Sequence, residues 1–361
     1  MQPTPGAGLP CMLMRGGTSK GAYFLADDLP ADPGERDALL LRVMGSPDPR
    51  QIDGVGGAHP LTSKVAVVGA SPDPGADVDY LFLQVGVGAA TVSAAQNCGN
   101  ILAGVGPFAV ERGLVAAGAD RTRVRVRMLN SGSLATADFA TPGGAVRYDG
   151  GTAISGVPGT AAAILLDFAG TEGATCGALL PTGNVRDLVD GVEATCLDNG
   201  MPVVVADARD LGATGYETTA ELAADARLAA RVQALRIAAG RLMGLGDVRD
   251  APVPKTTLIA PPRHGGAIST RTFIPVRPHE SIGVLGAVTV ATALLLPGAV
   301  GHDLAELPSP GEPLGIEHPS GRLEVQVELA GGQLPPRVRR SRLVRTARKL
   351  FDGRVFPRPA G

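Results

Sequence analysis

QNCGN at 96–100 runs without a break into ILAGVGPFAV at 101–110, so a single cysteine stands between an asparagine and a glycine at the head of a helix with almost no polar face. Helix N-termini present unpaired N–H groups and a partial positive charge, which favour a thiolate or a bound carboxylate there. Cys98 is therefore the first candidate for a nucleophile or an acid/base, against the alternative of a buried structural thiol, since free cysteines are often core residues. A helix that is apolar all round must also be enclosed on every side. What encloses it decides the fold.

Outward from this helix, the chain offers a second one of the same kind. SIGVLGAVTVATALLLPGAVG at 281–301 carries no charge and approaches the roughly 20 residues that span a bilayer. It is interrupted by Pro297-Gly298 and has no aromatic or basic anchors at its ends, so it reads as a buried central helix over 281–297 and not as a membrane span. Around both helices lie many short strands, among them 11–14, 22–25, 65–68, 78–87 and 121–128 in the first half. Those of the second half are 201–205, 256–260, 267–275 and 323–327. This is an α+β pattern in which each half wraps strands around one apolar helix. The turn LPTGN at 180–184 marks the crossing, giving a first domain over 1–182, a second over 183–336, and C-terminal strands 337–361 that return to complete the first. At 361 residues the chain is long enough for two cores, and with 3% aromatics and no tryptophan they are filled by Val, Ala, Leu and Gly.

The remaining punctuation is local. Arg15-Gly16-Gly17-Thr18-Ser19-Lys20 is a hairpin tip with two cations and two hydroxyls, whose glycines let backbone N–H groups face an anion while Arg15 grips a carboxylate. Asp32 and Glu35 frame the start of a helix running to about Gly45, and Thr218 with Glu221 starts an amphipathic helix, carrying Leu222, Leu228, Val232, Leu235 and Ile237, that stops near Gly244. Lys64 heads a very apolar strand, either at its solvated end or partly desolvated and ready for proton transfer.

The net charge of −2 offers no field for nucleic acid or anionic lipid, and the arginines alternating over 121–127 and 337–349 read as solvated strand faces or edges. Cys11, Cys98, Cys176 and Cys196 form no metal-type pairs. With an opening that resembles no signal peptide, they suggest a reducing, cytoplasmic setting. The five histidines show no metal-binding spacing, and GVGG at 54–57 lacks the strand–helix context of a dinucleotide site.

MRGGTSKG (14–21), MGSPDPRQIDGVGGAHPLTSK (44–64), NCGN (97–100), LPTGN (180–184), DNGMPVVV (198–205) and EHPSG (317–321) together resemble the PrpF-type isomerases of the diaminopimelate-epimerase-like fold. The resemblance implies two pseudo-symmetric domains, each a barrel-like sheet around a central helix, with the active site in the cleft between them and no cofactor. The fold's best-known members use two cysteines, one at each central helix start. Cys98 matches the first, whereas the second start reads Ser281-Ile282-Gly283. In PrpF-type proteins the lysine of the TSK motif is catalytic, which points to Lys64. The length and the opening MLMRGGTSKGAYFLADDLPAD are most similar to the 4-oxalomesaconate tautomerases of gallate degradation, beside the sister activities on 2-methylaconitate and methylitaconate.

The implied ligand is a small unsaturated tricarboxylate, and a homodimer is possible. Lys64 and Cys98 form the catalytic pair, with donor and acceptor unassigned. Arg15, Thr18, Ser19, Lys20, Ser63, Asn97, Gly99, Asn100, Ser320 and Gly321 are the candidates for binding. Two other classes compete: a non-catalytic tricarboxylate-binding protein, which would need no thiol, and an amino-acid racemase, which would need the missing second cysteine.

Overall fold

The computed structural model describes residues 8–95, 97–330 and 335–359, except the side chain of Ala169. Gln96 and the opening segment 1–7 lie outside them. The chain forms two compact units, Met1–Asp167 with Val344–Gly361, and Phe168–Leu343. The first half contributes strands β1 (Leu9–Gly16), β2 (Ser19–Leu25), β3 (Lys64–Ala70), β4 (Val78–Val85), β5 (Val92–Ser93), β6 (Arg121–Met128), β7 (Leu134–Ala140) and β8 (Ala163–Ala169). The rest of the chain adds β9 (Asp187–Val189), β10 (Val192–Asp198), β11 (Pro202–Asp207), β12 (Lys255–Ala260), β13 (Ile268–Phe273), β14 (Leu314–His318), β15 (Gly321–Leu329) and β16 (Val338–Val355). The helices are α1 (Pro33–Met44), α2 (Gly99–Glu111), α3 (Thr219–Ala224), α4 (Ala226–Leu242) and α5 (Val284–Leu294).

In the first unit the strand order is β1-β2-β3-β4-β6-β7-β8-β16, and β1 pairs back onto β16, closing the ring. Inside it runs α2, buried from Ile101 to Ala109. An unbroken apolar helix needs apolar walls on all sides, and a closed sheet supplies them without leaving an edge. The second unit is ordered β15-β14-β13-β12-β11-β10-β9, with α5 packed on β15, β11 and β10. Its helix is stitched to the sheet by polar bonds as well: Thr289 donates to the Met201 carbonyl at 2.9 Å, and the Asn199 amide donates to Thr292 at 2.9 Å.

The local start and stop signals behave as the side-chain chemistry requires. Asp32 accepts from the Glu35 N–H, Pro33 opens α1, and Gly45 ends it at φ 80°. The capping box of Thr218 and Glu221 forms, yet the single helix expected as far as Gly244 is broken into α3 and α4 at Asp225, whose carboxylate leaves the first helix to cap the second through the Leu228 N–H. Ile237 is only half-buried, because neighbouring Arg236 takes the inward place and commits its guanidinium to the carbonyls of Val248, Arg249 and Ala251.

Three expectations move. The central helix expected over 281–297 is shorter, Val284–Leu294: Gly283 is extended at its start, and the chain turns through Leu295 and Leu296 ahead of Pro297. No helix among the described residues is long and apolar enough to cross a membrane. The crossing expected at 182/183 lies inside the second unit, which begins at Phe168. The turn after β8 is tied to β10, with Gly173 N–H on the Asp198 carbonyl and the Thr175 and Cys176 N–H groups on the Asp198 carboxylate, each 2.8 Å. The return to the first unit falls at 343/344 and not at 336/337, within β16. That strand is no solvated edge, since it pairs with β15 through its first part and with β1 through its last. The β6 arginines do lie on a surface face, where Arg125 pairs with Asp77 at 2.7 Å and Arg127 with Asp79 at 2.6 Å.

Candidate functional site

Cys98 is the N-cap of α2, with extended φ/ψ and a half-exposed side chain that makes no capping bond. The N–H groups of Gly99, Asn100 and Ile101 precede the first intrahelical bond, Leu102 N–H to the Cys98 carbonyl at 3.0 Å, so they are free to meet an anion. Burial pushes the Cys11, Cys176 and Cys196 thiols up to about 12, so these three remain protonated at neutral pH.

Lys64 is the first residue of β3 and only 6% exposed. Its Nζ donates to Gln84 Oε1 at 2.7 Å and lies 4.9 Å from the centre of the Phe82 ring. Gln84 is itself fixed, because its amide nitrogen donates to the carbonyls of Pro60 and Ser63, both at 3.0 Å. Two residues further along the same face of β4 from Phe82, the Tyr80 hydroxyl donates to the Cys98 carbonyl at 3.3 Å. Tyr80, Phe82 and Gln84 alternate onto one side of the strand, so a single strand face positions both Lys64 and the head of α2. About 7 Å of strand separates the residue under the amine from the residue at the thiol. Tyr23 does the same from β2, donating to the Ile101 carbonyl at 2.6 Å. Burial holds both phenols well above their ordinary range, and the charge of a Cys98 thiolate adds to it.

The hairpin tip between β1 and β2 meets the same helix start. Asn100 donates to Thr18 Oγ1 at 3.1 Å, and a Cβ on Gly17, which has φ +52°, would stand 2.1 Å from Asn100 Oδ1. Only glycine permits that approach. Ser19 is 2% exposed and its hydroxyl has no partner among the described residues, while Lys20 reaches the Gly57 loop. Asn97 donates to Ser131 at 2.7 Å. Buried polar atoms normally find partners. Among the described residues of the first unit, the buried side-chain atoms without one are Ser19 Oγ, Asn97 Oδ1, Asn100 Oδ1 and Arg345 Nε.

Arg345 was not singled out by the sequence. It lies on β16, is 7% exposed and, among the described residues, donates only to the neighbouring Val344 carbonyl at 3.1 Å. Burial pulls its pKa down to about 10, and the Cys98 charge acts against that pull. An arginine without a carboxylate partner, in electrostatic contact with the thiol, is a ready acceptor of a substrate carboxylate. Two residues expected to bind also make contacts within the protein. Arg15 Nη1 holds the Gly17 and Thr346 carbonyls at 2.8 and 3.1 Å, so this nitrogen fixes the hairpin. The Ser63 hydroxyl is fully buried on Gln51 Oε1 at 2.7 Å and anchors the 51–58 loop.

In the second unit, Ser320 and Gly321 form the turn between β14 and β15, Gly321 at φ +142°. The Ser320 hydroxyl is committed to the Glu280 carbonyl at 2.6 Å, and His318 Nε2 sits 3.3 Å from Ser281 Oγ. Glu317 of the same motif is structural: its buried carboxylate accepts the N–H groups of Arg263, His264 and Gly266. Those bonds outweigh desolvation and hold it below the usual carboxylate range. The turn thus shapes the segment ahead of α5. Among the described residues no group of three or more His, Cys, Asp or Glu side chains is placed to hold a metal.

The sequence profile of the PrpF protein family matches residues 7–358. A (4E)-oxalomesaconate Delta-isomerase from Novosphingobium sp. (strain KA1) is 59% identical over 350 residues, 96% of this chain and 97% of that protein. A 4-oxalomesaconate tautomerase from Pseudomonas putida is 58% identical over 349 residues, 96% of this chain and 95% of its own. The crystal structure of a methylitaconate-delta-isomerase superposes with a TM-score of 0.85 at 34% identity, covering 96% of this chain and 94% of that one.

Proposed function

The chain belongs to the PrpF family, and on that footing we propose that it is a cofactor-independent isomerase that interconverts the keto and enol forms of 4-oxalomesaconate in aromatic-acid catabolism. The two forms differ in the position of one proton across a three-carbon unit. A base takes a proton from one end, an acid returns one to the other, and an enolate carries the charge between the steps. Lys64 and Cys98 are that pair.

The observation that carries this reading is the β4 face, which holds the Lys64 amine through Gln84 and the Cys98 carbonyl through Tyr80. The free N–H groups of Gly99, Asn100 and Ile101 are aimed where an enolate oxygen gains charge, and such preorganised donors cost no rearrangement during reaction. Arg345 and the Ser19 hydroxyl take substrate carboxylates, which satisfies both orphaned groups at once.

The test is turnover in deuterated buffer followed by absorbance and NMR, with 4-oxalomesaconate, 2-methylaconitate and methylitaconate supplied separately. Rapid interconversion and deuterium incorporation with the first alone supports the proposal. Turnover of either other substrate alone moves the chain to the sister activity, and turnover of none defeats the substrate class.

A further inference from the structure

The two faces of β1 meet different surroundings. Gly16 faces α2, where a Cβ on it would stand 2.3 Å from the Asn100 carbonyl oxygen. Strand alternation puts the neighbouring Arg15 on the opposite face, turned away from that helix. There it lies directly across from Arg348 of β16 in the antiparallel register, with Thr346 two residues earlier on the same face. Both strand segments, and the loop 152–161 that packs against them, belong to the first unit.

That loop closes a cavity over the pair. Thr152 and Ala161 bridge its ends through two backbone hydrogen bonds of 3.0 Å each, and the enclosed space is about 170 Å³. Pockets for drug-sized ligands run to roughly 300 Å³ or more, so this volume suits one small ion or headgroup. The walls carry both guanidiniums and the hydroxyls of Thr152, Thr160 and Thr346, and among the described residues no carboxylate lines them.

Like charges directly opposite each other on neighbouring strands destabilise a sheet, and here burial, together with Arg348, pulls Arg15 below the ordinary arginine value. The nearby acids do little to offset the charge. Arg348 Nη2 stands 3.5 Å from Asp149 Oδ1, at the limit of a hydrogen bond, and the Asp149 side chain is 92% exposed. Glu111 is taken by Lys349 and Tyr148. Arg15 commits Nη1 to the Gly17 and Thr346 carbonyls and to the Thr346 hydroxyl, whereas its Nε and Nη2 have no partner among the described residues. A singly charged anion neutralises one arginine. A dianion with several oxygens neutralises both and accepts from the hydroxyls as well.

We propose that Arg15, Arg348 and the threonines around them form a binding site for a phosphate-type dianion, free or as the head of a small monoester, on the outer face of the first barrel. The site lies on the other side of β1 from the head of α2, so its occupant takes no part in the proton transfer. Arg15 also holds the Gly17 carbonyl, and Gly17 packs on Asn100 beside Cys98, so the anion steadies the hairpin that meets the helix start.

The experiment titrates the full-length protein with inorganic phosphate, glycerol 3-phosphate and tricarballylate by calorimetry, at constant ionic strength and about pH 8, where a phosphate group carries close to two charges. We expect saturable binding of a phosphate with a dissociation constant of about 1 mM or below. The tighter of the two phosphates shows whether the ion is free or esterified. Arg348→Met weakens that binding about tenfold or more, and Arg348→Lys weakens it less, since lysine keeps the charge but not the fork. Melting temperatures separate binding from folding. Without phosphate, Arg348→Met melts no lower than the parent, because it removes one of two opposed like charges; added phosphate raises the parent and leaves the variant unchanged. A purely structural Arg348 gives the reverse, a lower melting temperature without phosphate and no phosphate response in either protein. Absence of saturable phosphate binding, or an affinity unchanged in Arg348→Met, overturns the site. So does tricarballylate that displaces phosphate and is itself weakened by the same substitution, which would assign the two arginines to a tricarboxylate substrate.

Discussion

The starts of α2 and α5 are the same structural device in two chemical states. Both are N-termini of helices apolar on every side, and each unit opens a strand on a lysine that lies in a parallel pairing, Lys64 of β3 opposite Gly21 and Lys255 of β12 opposite Val203. At α2 the cap is a cysteine, the lysine is tethered by Gln84, and among the described residues Asn97 and Asn100 beside the cap carry buried side-chain oxygens without a partner. At α5 the cap is a glycine, and Lys255 has no hydrogen-bond or ion-pair partner among the described residues. On the proposed function, the start of α2 is the one that moves a proton. That difference teaches how a repeated fold divides labour: the backbone supplies the same donors twice, and three side-chain choices decide what they do.

The largest effect falls on the proton-moving start. Lys64→Met and Cys98→Ala each lower kcat by about 10²–10⁴-fold, the range for loss of a general acid or base, with far-UV circular dichroism unchanged. If either retained full turnover, the chemical asymmetry between the two helix starts would collapse. Next comes Arg345→Met, which is expected to raise KM by about 10–100-fold, since a charge-assisted bidentate contact contributes a few kcal/mol at most. Steady-state kinetics separates it from the proton-transfer variants because kcat falls less than KM rises.

Gln84→Leu tests whether tethering matters. It leaves the amine in place chemically but free to swing, and a misplacement of about 1 Å can cost about 10²-fold. We expect a loss of kcat of roughly tenfold or more with KM nearly constant. A changed pH profile with an unchanged melting temperature would mark positioning and not folding.

How far the residues announced this division is instructive. The enclosure of α2 was legible because a helix without a polar face has a single physical outcome, and Cys98 at its head was legible for the same reason. Arg345 was not, because an arginine in an alternating basic strand looks the same whether its side chain faces water or the core. The pairing of β16 on both flanks is what removes the solvent reading. Gln84 is one polar residue in an apolar strand, and only its cross-strand register with Lys64 gives it meaning. The boundary was misplaced because LPTGN has the chemistry of a turn wherever it stands. Ser63 and Arg15 show a related ambiguity: hydroxyls and guanidiniums near a site serve its scaffold as readily as its ligand.

A smaller effect probes the scaffold ahead of α5. Glu317 is held below the usual carboxylate range by three backbone donors, so its contribution to stability is present above the unfolded glutamate value of about 4.3 and is lost as pH falls through the lower folded value. Glu317→Gln is expected to cost about 1–3 kcal/mol at pH 7, with the difference from the parent shrinking as the solution is acidified below about pH 4. Denaturant titrations at both pH values check the sign.

The smallest change makes the second start resemble an ordinary capped helix. Gly283 has φ −63° and ψ 146°, which any residue adopts at an N-cap, so Gly283→Ser introduces no backbone strain. The serine hydroxyl accepts an N–H of the first turn, and the gain over glycine is a few tenths of a kcal/mol. Its Cβ would stand 3.3 Å from Lys255 Nζ, the far end of a flexible side chain that can give way. The expected outcome is therefore a slightly higher melting temperature, read by calorimetric scans of parent and variant. A lower one would show that the amine cannot yield, and the two helix starts would then differ in how tightly a lysine is packed against them as well as in how they are capped.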